Sequence, residues 1–415
     1  MRIGITCYPT YGGSGIVATE LGLELANRGH QVHFITYANP IRLHERPDIL
    51  YHEVEVSNYP LFQYPPYCLA LASRMAEVAD QYSLDLLHVH YAIPHSVSAM
   101  LARGILAKSH PLPFVTTLHG TDITLVGMDR SYYPITKYSI EESDAVTAIS
   151  EDLRRHTVEV FDIAKPITTI HNFVNADLYR PRAERAPGPP RMIHLSNFRP
   201  VKRVEDCIRV LAEVRKSVEA ELWMVGDGPE RDRLRQRVVD EGLDGVEILG
   251  RVSAERKTEL MHEAWILVHP AEREGWGLVI LEAARCGTPS VGFRVKGVRD
   301  AVINGRTGLL AVDEDAFLEA WIALASDPER RDELGAAAQV RSQEFTWQHT
   351  IDTFIEAADE AGSNSLHDPR AEGPEKGIAR SRHLFSLFRR EAGSVVPTAE
   401  GRAVCARLER ALQWL

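Results

Sequence analysis

The sequence predicts an α/β chain made of two doubly wound, Rossmann-like domains facing a central cleft. Three observations predict this class. Short runs rich in Ile, Leu and Val alternate with segments of helical period through the first half of the chain, and the same alternation restarts near residue 191. Glycine-bearing turns follow several of the strand ends, where a parallel sheet presents its ligands. Between the halves, Arg180 to Arg191 (RPRAERAPGPPR) is dense in proline and charge and reads as a linker. The expected organisation is an N-terminal domain over 1–179, a linker over 180–190, a C-terminal domain over 191–345, a crossover helix over 346–361 and a tail over 362–415.

Taken in order, Arg2 to Thr6 is a strand, Gly12 to Gly15 a glycine-rich turn, Ile16 to Arg28 a helix and His30 to Tyr37 a second strand. The turn reads GGSG and not GxGxxG, so a dinucleotide fingerprint is not met. A phosphate or second substrate at the helix start competes with glycines that serve only the turn. An alanine-rich helix, Cys68 to Tyr82, leads to the strand Leu86 to Tyr91, and a further helix leads to the strand Phe114 to Leu118. Ala145 to Ile149 and Pro166 to Ile170 complete the first half. In the second half, strands are expected at Arg191 to Ser196, Ala220 to Val225, Val246 to Leu249, Trp265 to Pro270 and Ser290 to Phe293. Helices are expected at Val204 to Ser217, up to Glu241, from Leu278 toward Gly287, and over Asp315 to Ala325, Pro328 to Phe345 and Trp347 to Ala361. In the tail, Gly362 to Gly377 is polar, while Ile378 to Arg390 and Thr398 to Leu415 carry apolar residues at helical spacing.

Composition narrows the function classes. At 415 residues, 44% hydrophobic and 25% charged, the chain has the make-up of a soluble globular protein with two cores. A net charge of -11 argues against a general nucleic-acid surface. No apolar run reaches the ~18 residues of a membrane span, and MRIGITCYP enters a strand without a leader-like pattern. The scattered Cys7, Cys68, Cys207, Cys286 and Cys405 form no CxxC pair and suit reduced thiols, so the expected compartment is the cytoplasm.

The segment Ala271 to Gly287 (AEREGWGLVILEAARCG) follows a buried strand and opens a helix. Gly275 and Gly277 let the backbone turn, and the helix start offers unpaired amides and a positive dipole end. Glu274 lies on the loop and Glu282 about two turns into the helix. Two carboxylates flanking an anion site suit a polyhydroxylated ligand that carries phosphate; the competing reading is an ordinary turn with two solvated glutamates. His88, His90, His95 and His119 cluster at strand ends, and His88 and His90 share a strand face. No HExxH or Cys-rich spacing accompanies them, so no metal and no cofactor are expected.

Together these motifs resemble the retaining glycosyltransferases of family 4, which have the two-Rossmann-domain architecture named GT-B. Glu274 to Glu282 matches the E-x7-E signature, Gly226 to Pro229 the GDGP segment, and Gly12 to Gly15 the first glycine loop; the resemblance runs from residue 1 to about 361. Within that family, FQYPPY (Phe62 to Tyr67), HVHYAIPH (His88 to His95), TTLHGTDIT (Thr116 to Thr124) and SNFRPVKR (Ser196 to Arg203) resemble the branch that begins bacillithiol synthesis. That branch implies UDP-N-acetylglucosamine as donor and the hydroxyl of L-malate as acceptor, with the anomeric configuration kept. It implies catalytic roles for His119, Arg199, Lys202 and Glu274. Donor contacts would come from Gly13, Ser14, Asn197, Gly226, Arg251, Gly275, Trp276, Gly277, Leu278 and Glu282. Acceptor contacts would come from Ser14, Tyr91, Thr121 and Lys137. Asn197 stands where many members carry arginine, so Arg199, with Arg203 as second choice, is the expected replacement cation.

Other readings remain at this stage. The acceptor is fixed by resemblance alone, and another small anion or a cell-envelope sugar is compatible with the fold. A UDP-N-acetylglucosamine 2-epimerase or a non-catalytic nucleotide-sugar sensor shares the two-domain plan. A double displacement would instead need two carboxylates about 5 Å apart. Oligomeric state is left open.

Overall fold

The computed structural model describes residues 1–10, 13–43, 45–57, 60–107, 111–181, 188–366, 388–391 and 394–397. Two compact units emerge, the first formed by Met1–Ile149, Leu153–Ile170 and the described residues from Ile351 on, the second by Ser150–Asp152 and His171–Thr350.

In the first unit the elements run β1 (Arg2–Thr6), α1 (Gly13–Asn27), β2 (Gln31–Thr36), β3 (Ile49–Glu53), α2 (Tyr67–Tyr82), β4 (Leu86–His90), α3 (Val97–Leu106), β5 (Phe114–Leu118), α4 (Tyr133–Glu142), β6 (Ala145–Ala148), α5 (Glu151–Phe161) and β7 (Ile167–Thr169). The seven strands pair in parallel in the order β3-β2-β1-β4-β5-β6-β7. Parallel strands covered on both faces need continuous apolar runs. Accordingly every residue of β4 and β5 is buried. α2 turns Leu71, Met75, Val78 and Ala79 inward at helical spacing, and Val97, Met100 and Leu106 of α3 join the same core.

The second unit runs β8 (Arg191–Ser196), α6 (Val204–Val214), β9 (Glu221–Gly226), α7 (Arg231–Asp240), β10 (Val246–Gly250), α8 (Ala254–Glu263), β11 (Ile266–His269), α9 (Leu278–Arg285), β12 (Ser290–Phe293), α10 (Val298–Ala301), β13 (Gly308–Ala311), α11 (Glu314–Ser326) and α12 (Pro328–Ser342). Its strands are parallel in the order β10-β9-β8-β11-β12-β13. The core of this unit takes Val204, Ile208 and Leu211 from α6 and Phe317, Trp321 and Leu324 from α11. Phe317 stacks on Phe293 at a centroid distance of 4.8 Å. α13 (Trp347–Leu366) follows, and its residues from Ile351 on belong to the first unit.

Both sheets are doubly wound, with the order reversing between β1 and β4 in one and between β8 and β11 in the other. At such a reversal the connections leave in opposite directions, and a crevice opens beyond the carboxyl ends of the two strands. Four elements of the two units escaped the sequence reading, among them the short α10 and the edge strand β13. β3 is an edge strand, and α8 is a polar helix that buries little beyond Thr258, Leu260 and Met261. The helix expected over Ile378 to Arg390 is corrected at its end. Phe388–Glu391 (β14) pairs antiparallel with Ser394–Pro397 (β15), Glu391 opposite Ser394. Two β-branched residues, Val395 and Val396, favour the strand, and Pro397 disfavours a continuing helix. The helix expected over Thr398 to Leu415 lies outside the described residues, as do Gly12, Cys405 and most of the linker. Cys7, Cys68, Cys207 and Cys286 are buried free thiols. Among the described residues no helix is long and apolar enough to cross a membrane.

Candidate active site

In the second unit the reversal point brings the loop after β8 against the loop after β11. At the end of β8, His194 is buried, and burial pushes its pKa down to about 3. Its ring is therefore neutral at pH 7. The Val268 carbonyl can only accept, so Nδ1–H donates to it at 3.0 Å. Nε2 then accepts from the Ser196 hydroxyl at 2.8 Å, and the Ser196 oxygen accepts the Phe198 amide at 3.2 Å. This chain fixes where the loop carrying Asn197, Arg199 and Lys202 leaves the sheet. Lys202 Nζ lies 2.6 Å from Glu274 Oε2, which also accepts from His269 Nε2 at 3.0 Å. The Gly275 amide donates to the other oxygen, Oε1, at 3.2 Å. Burial alone would raise the Glu274 pKa, but the Lys202 charge and the His269 hydrogen bond hold it well below the usual carboxylate range. Lys202 and Glu274, predicted separately, thus form one ion pair across the crevice.

The loop holding Glu274 is pressed from behind by Gly297. That residue has φ of 79°, and a Cβ there would stand 2.5 Å from the Glu274 carbonyl oxygen. α9 then begins at Leu278, so its first amides have no intrahelical carbonyl. Trp276 reaches the helix start through its backbone alone. Its indole is 2% exposed, stacked on His171 at 4.4 Å with Phe345 edge-on at 5.2 Å, so it is core. Only the Trp276 backbone stays at the helix start with Gly275, Gly277 and Leu278. Arg203 is corrected as second-choice cation. It is ion-paired with Asp206 and Glu314 and lies over the Phe293 ring, so its charge secures the loop to the body. Arg199 is half-buried and Asn197 exposed on the same loop.

The GDGP turn after β9 packs directly on this loop. Asp227 bridges Arg231 at 3.0 Å and Arg251 at 3.2 Å. Gly226 has φ of 137°, and a Cβ there would fall 1.8 Å from the Ser196 carbonyl oxygen. Gly226→Ala is therefore expected to lower stability by about 2 kcal/mol or more, because both the conformation and the space exclude a side chain. Thermal unfolding checks this, and an unchanged midpoint would disprove it. Glu282 lies four residues past the start of α9, about one turn in and not the two expected; it is 4% exposed, and its Oε1 accepts from Tyr179 at 2.7 Å and from Lys257 at 2.8 Å.

In the first unit the reversal point joins the start of α1, which carries Gly13 and Ser14, to the end of β4. The Ser14 hydroxyl donates to the Tyr91 hydroxyl at 3.3 Å. The Tyr91 ring stacks on His119 at 5.2 Å and meets Tyr8 edge-on at 5.1 Å. His119 Nε2 is 2.8 Å from His90 Nδ1, and His95 Nδ1–H donates to the His90 carbonyl at 2.5 Å. Burial, aided by His95, lowers the His119 pKa to about 3, so this ring too is neutral at pH 7. Asp122 accepts the amides of Ala92, His119 and Gly120 and so fixes both strand-end loops, with Thr121 half-buried between. Burial outweighs those hydrogen bonds and raises the Asp122 pKa to about 6.

Lys137 is not brought to this group. Its ammonium donates to the Asp162 carbonyl at 3.0 Å and faces the Asp162 carboxylate at 3.6 Å, in the turn before β7. That turn feeds the opposite end of the sheet from the strand ends bearing Tyr91 and Thr121. His88 and His90 do share a face, rings 4.4 Å apart, and His88 Nε2 bonds the Thr117 hydroxyl at 2.7 Å. Among the described residues no group of three or more His, Cys, Asp or Glu side chains is disposed to hold a metal. Sequence reasoning missed His269, Lys257 and Tyr179, side chains that hold the predicted ones, and weighed His90 only as a metal ligand. Position at a strand end was the available signal for His269, as it was for His90; Lys257 and Tyr179 had none.

Comparison with known proteins bears on the family. Residues 11–178 match the family model described as Glycosyltransferase Family 4, and residues 175–341 match Glycosyl transferases group 1. N-acetyl-alpha-D-glucosaminyl L-malate synthase of Bacillus anthracis is 42% identical over 367 residues, spanning 84% of this chain and 95% of that one. D-inositol 3-phosphate glycosyltransferase of Pseudarthrobacter chlorophenolicus is 27% identical, over 83% of this chain and 90% of that one. Among solved structures, sucrose-phosphate synthase from Thermosynechococcus elongatus superposes with a TM-score of 0.75 at 22% identity, covering 88% of this chain and 99% of that one. Anabaena HepE, solved with UDP-glucose, gives 0.73 at 19%, covering 86% and 99%. These last two likenesses speak to the fold. Two Rossmann-like units, the matched family models and the extent of the Bacillus likeness lead to one conclusion: the chain belongs to the family 4 glycosyltransferases and is a sugar-transferring enzyme.

Proposed function

We propose that this enzyme moves N-acetylglucosamine from UDP-N-acetylglucosamine to the hydroxyl of L-malate, keeping the anomeric configuration. The observation that carries the reading is the Lys202, Glu274 and His269 cluster beside the start of α9, supported by the likeness to the malate-glycosylating enzyme of Bacillus anthracis. The second unit takes the donor and the first the acceptor. As the bond from the anomeric carbon to the β-phosphate breaks, its electron pair stays on the phosphate oxygen. The growing charge is met by Lys202, Arg199 and the first amides of α9, a cation and dipoles already in place. Glu274, ionised and anchored, accepts from sugar hydroxyls. Gly226 and Arg251 border the nucleotide, and Glu282 takes the ribose. The malate oxygen attacks on the face the phosphate leaves, and its proton passes to that phosphate. Neutral His119 hydrogen-bonds the sugar, while Ser14, Tyr91 and Thr121 supply hydroxyls to malate; Lys137, held by Asp162, takes no part.

Incubation with UDP-N-acetylglucosamine and either L-malate or D-inositol 3-phosphate tests this, following UDP release, product mass and anomeric coupling by NMR. The expected result is malate-dependent UDP release with an α-linked adduct. Release driven by the inositol phosphate and not by malate would overturn the acceptor, and epimerised sugar without adduct would overturn transfer itself.

A further inference from the structure

Glu282 is held in an unusual way. Two donors, the Tyr179 hydroxyl and the Lys257 ammonium, both bind Oε1, and Lys257 also lies 5.1 Å over the Tyr179 ring. The other oxygen, Oε2, is buried with no hydrogen-bond partner. Tyr179 is itself 2% exposed and Lys257 has a side-chain exposure of 16%. A carboxylate buried for structural reasons alone gains most when both oxygens are paired, because an unsatisfied oxygen carries its full desolvation penalty. Here two side chains converge on one oxygen and leave its twin with both lone pairs unused. That is the arrangement expected of an acceptor held ready for donors that arrive with a ligand. Lys257 offsets the carboxylate charge locally, so the remaining demand is for neutral hydroxyl donors and not for a cation.

We propose that Tyr179 and Lys257 are positioning residues of the nucleotide subsite. They pin Oε1 so that Oε2 is presented to the vicinal hydroxyls of a ribose, and they thereby set the preference for ribose over deoxyribose. This rests on the nucleotide-sugar reading above and deepens it.

The test compares binding of UDP and 2′,3′-dideoxy-UDP by calorimetry to the full-length protein, to Tyr179→Phe, which removes only a hydroxyl, and to Lys257→Met, with Lys257→Arg as the conservative control. The wild type is expected to prefer UDP by about tenfold or more, the scale of a hydrogen bond to a charged group. Tyr179→Phe and Lys257→Met are expected to lose most of that preference through weaker UDP binding, with dideoxy-UDP binding unchanged, while Lys257→Arg retains it. Folded variants that keep the wild-type preference would overturn the proposal, as would variants that weaken both ligands equally, the result of a merely structural role. Equal binding of both ligands by the wild type would remove the ribose from Glu282 and the proposal with it, leaving the donor reading intact. No UDP binding by the wild type would overturn both.

Discussion

Glu274→Gln is expected to lower turnover by about 100-fold or more, with a much smaller change in UDP affinity. The substitution keeps size and one carbonyl oxygen but removes the charge that Lys202 at 2.6 Å and His269 at 3.0 Å are arranged to hold. Under the proposed mechanism three consequences compound. The amide gives the sugar hydroxyls a weaker acceptor. Lys202 loses its anchor and gains freedom to leave the place where phosphate charge develops. His269, whose Nδ1 is already buried without a partner, faces an amide that can present the wrong group. Because these losses fall on the transition state, kcat should drop more than KM rises. Steady-state kinetics with UDP-N-acetylglucosamine and malate decide it, and near-normal kcat would remove Glu274 from the reaction.

The second large effect concerns acid. His88, His95 and His119 are buried, and burial lowers their pKa values to about 3, 4 and 3 from 6.5. A histidine with a depressed folded-state pKa contributes stability that is fully present above 6.5 and is lost as pH falls toward the folded value, because only the unfolded chain takes up the proton. Between pH 7 and pH 5 each therefore withdraws about 2 kcal/mol. Asp122 acts the other way. Its pKa is raised from 3.8 to about 6, so its ionisation costs the fold at neutral pH, and protonation near pH 5 returns part of that cost. The balance of these four groups is a loss on the order of 4 kcal/mol in the first unit, and His33 and His52, lowered to about 4, add to it in the same direction. Scanning calorimetry at pH 7 and pH 5 should resolve a lowered transition; an unmoved one would mean that these rings are not buried neutral in solution.

Much of this architecture was legible because its signals are local. The strands β4, β5, β8 and β12 stand out as short runs set between turn residues and largely buried, and E-x7-E with GDGP picks out two strand-end loops of the second unit. β3 was missed because ILYHE lacks alternation and borders only one strand. α8 was missed because its buried set is too small to impose a period. At the site, the sequence named Lys202 and Glu274 but not their pairing, since spacing of 72 residues says nothing about contact. It could not foresee that the Trp276 indole would turn to the core, nor that Asp162 would claim Lys137. Those outcomes depend on which neighbour reaches a side chain first, and tertiary packing alone decides that.

Gly297 sets a boundary for anyone hoping to redesign sugar preference here. Libraries that randomise the residues bordering Glu274 can vary the side chains of that loop, yet any methyl introduced at 297 would collide with the main chain of Glu274 and Gly275 whatever the rest of the library holds. Productive diversity must come from the front of that loop while its rear support stays a bare backbone.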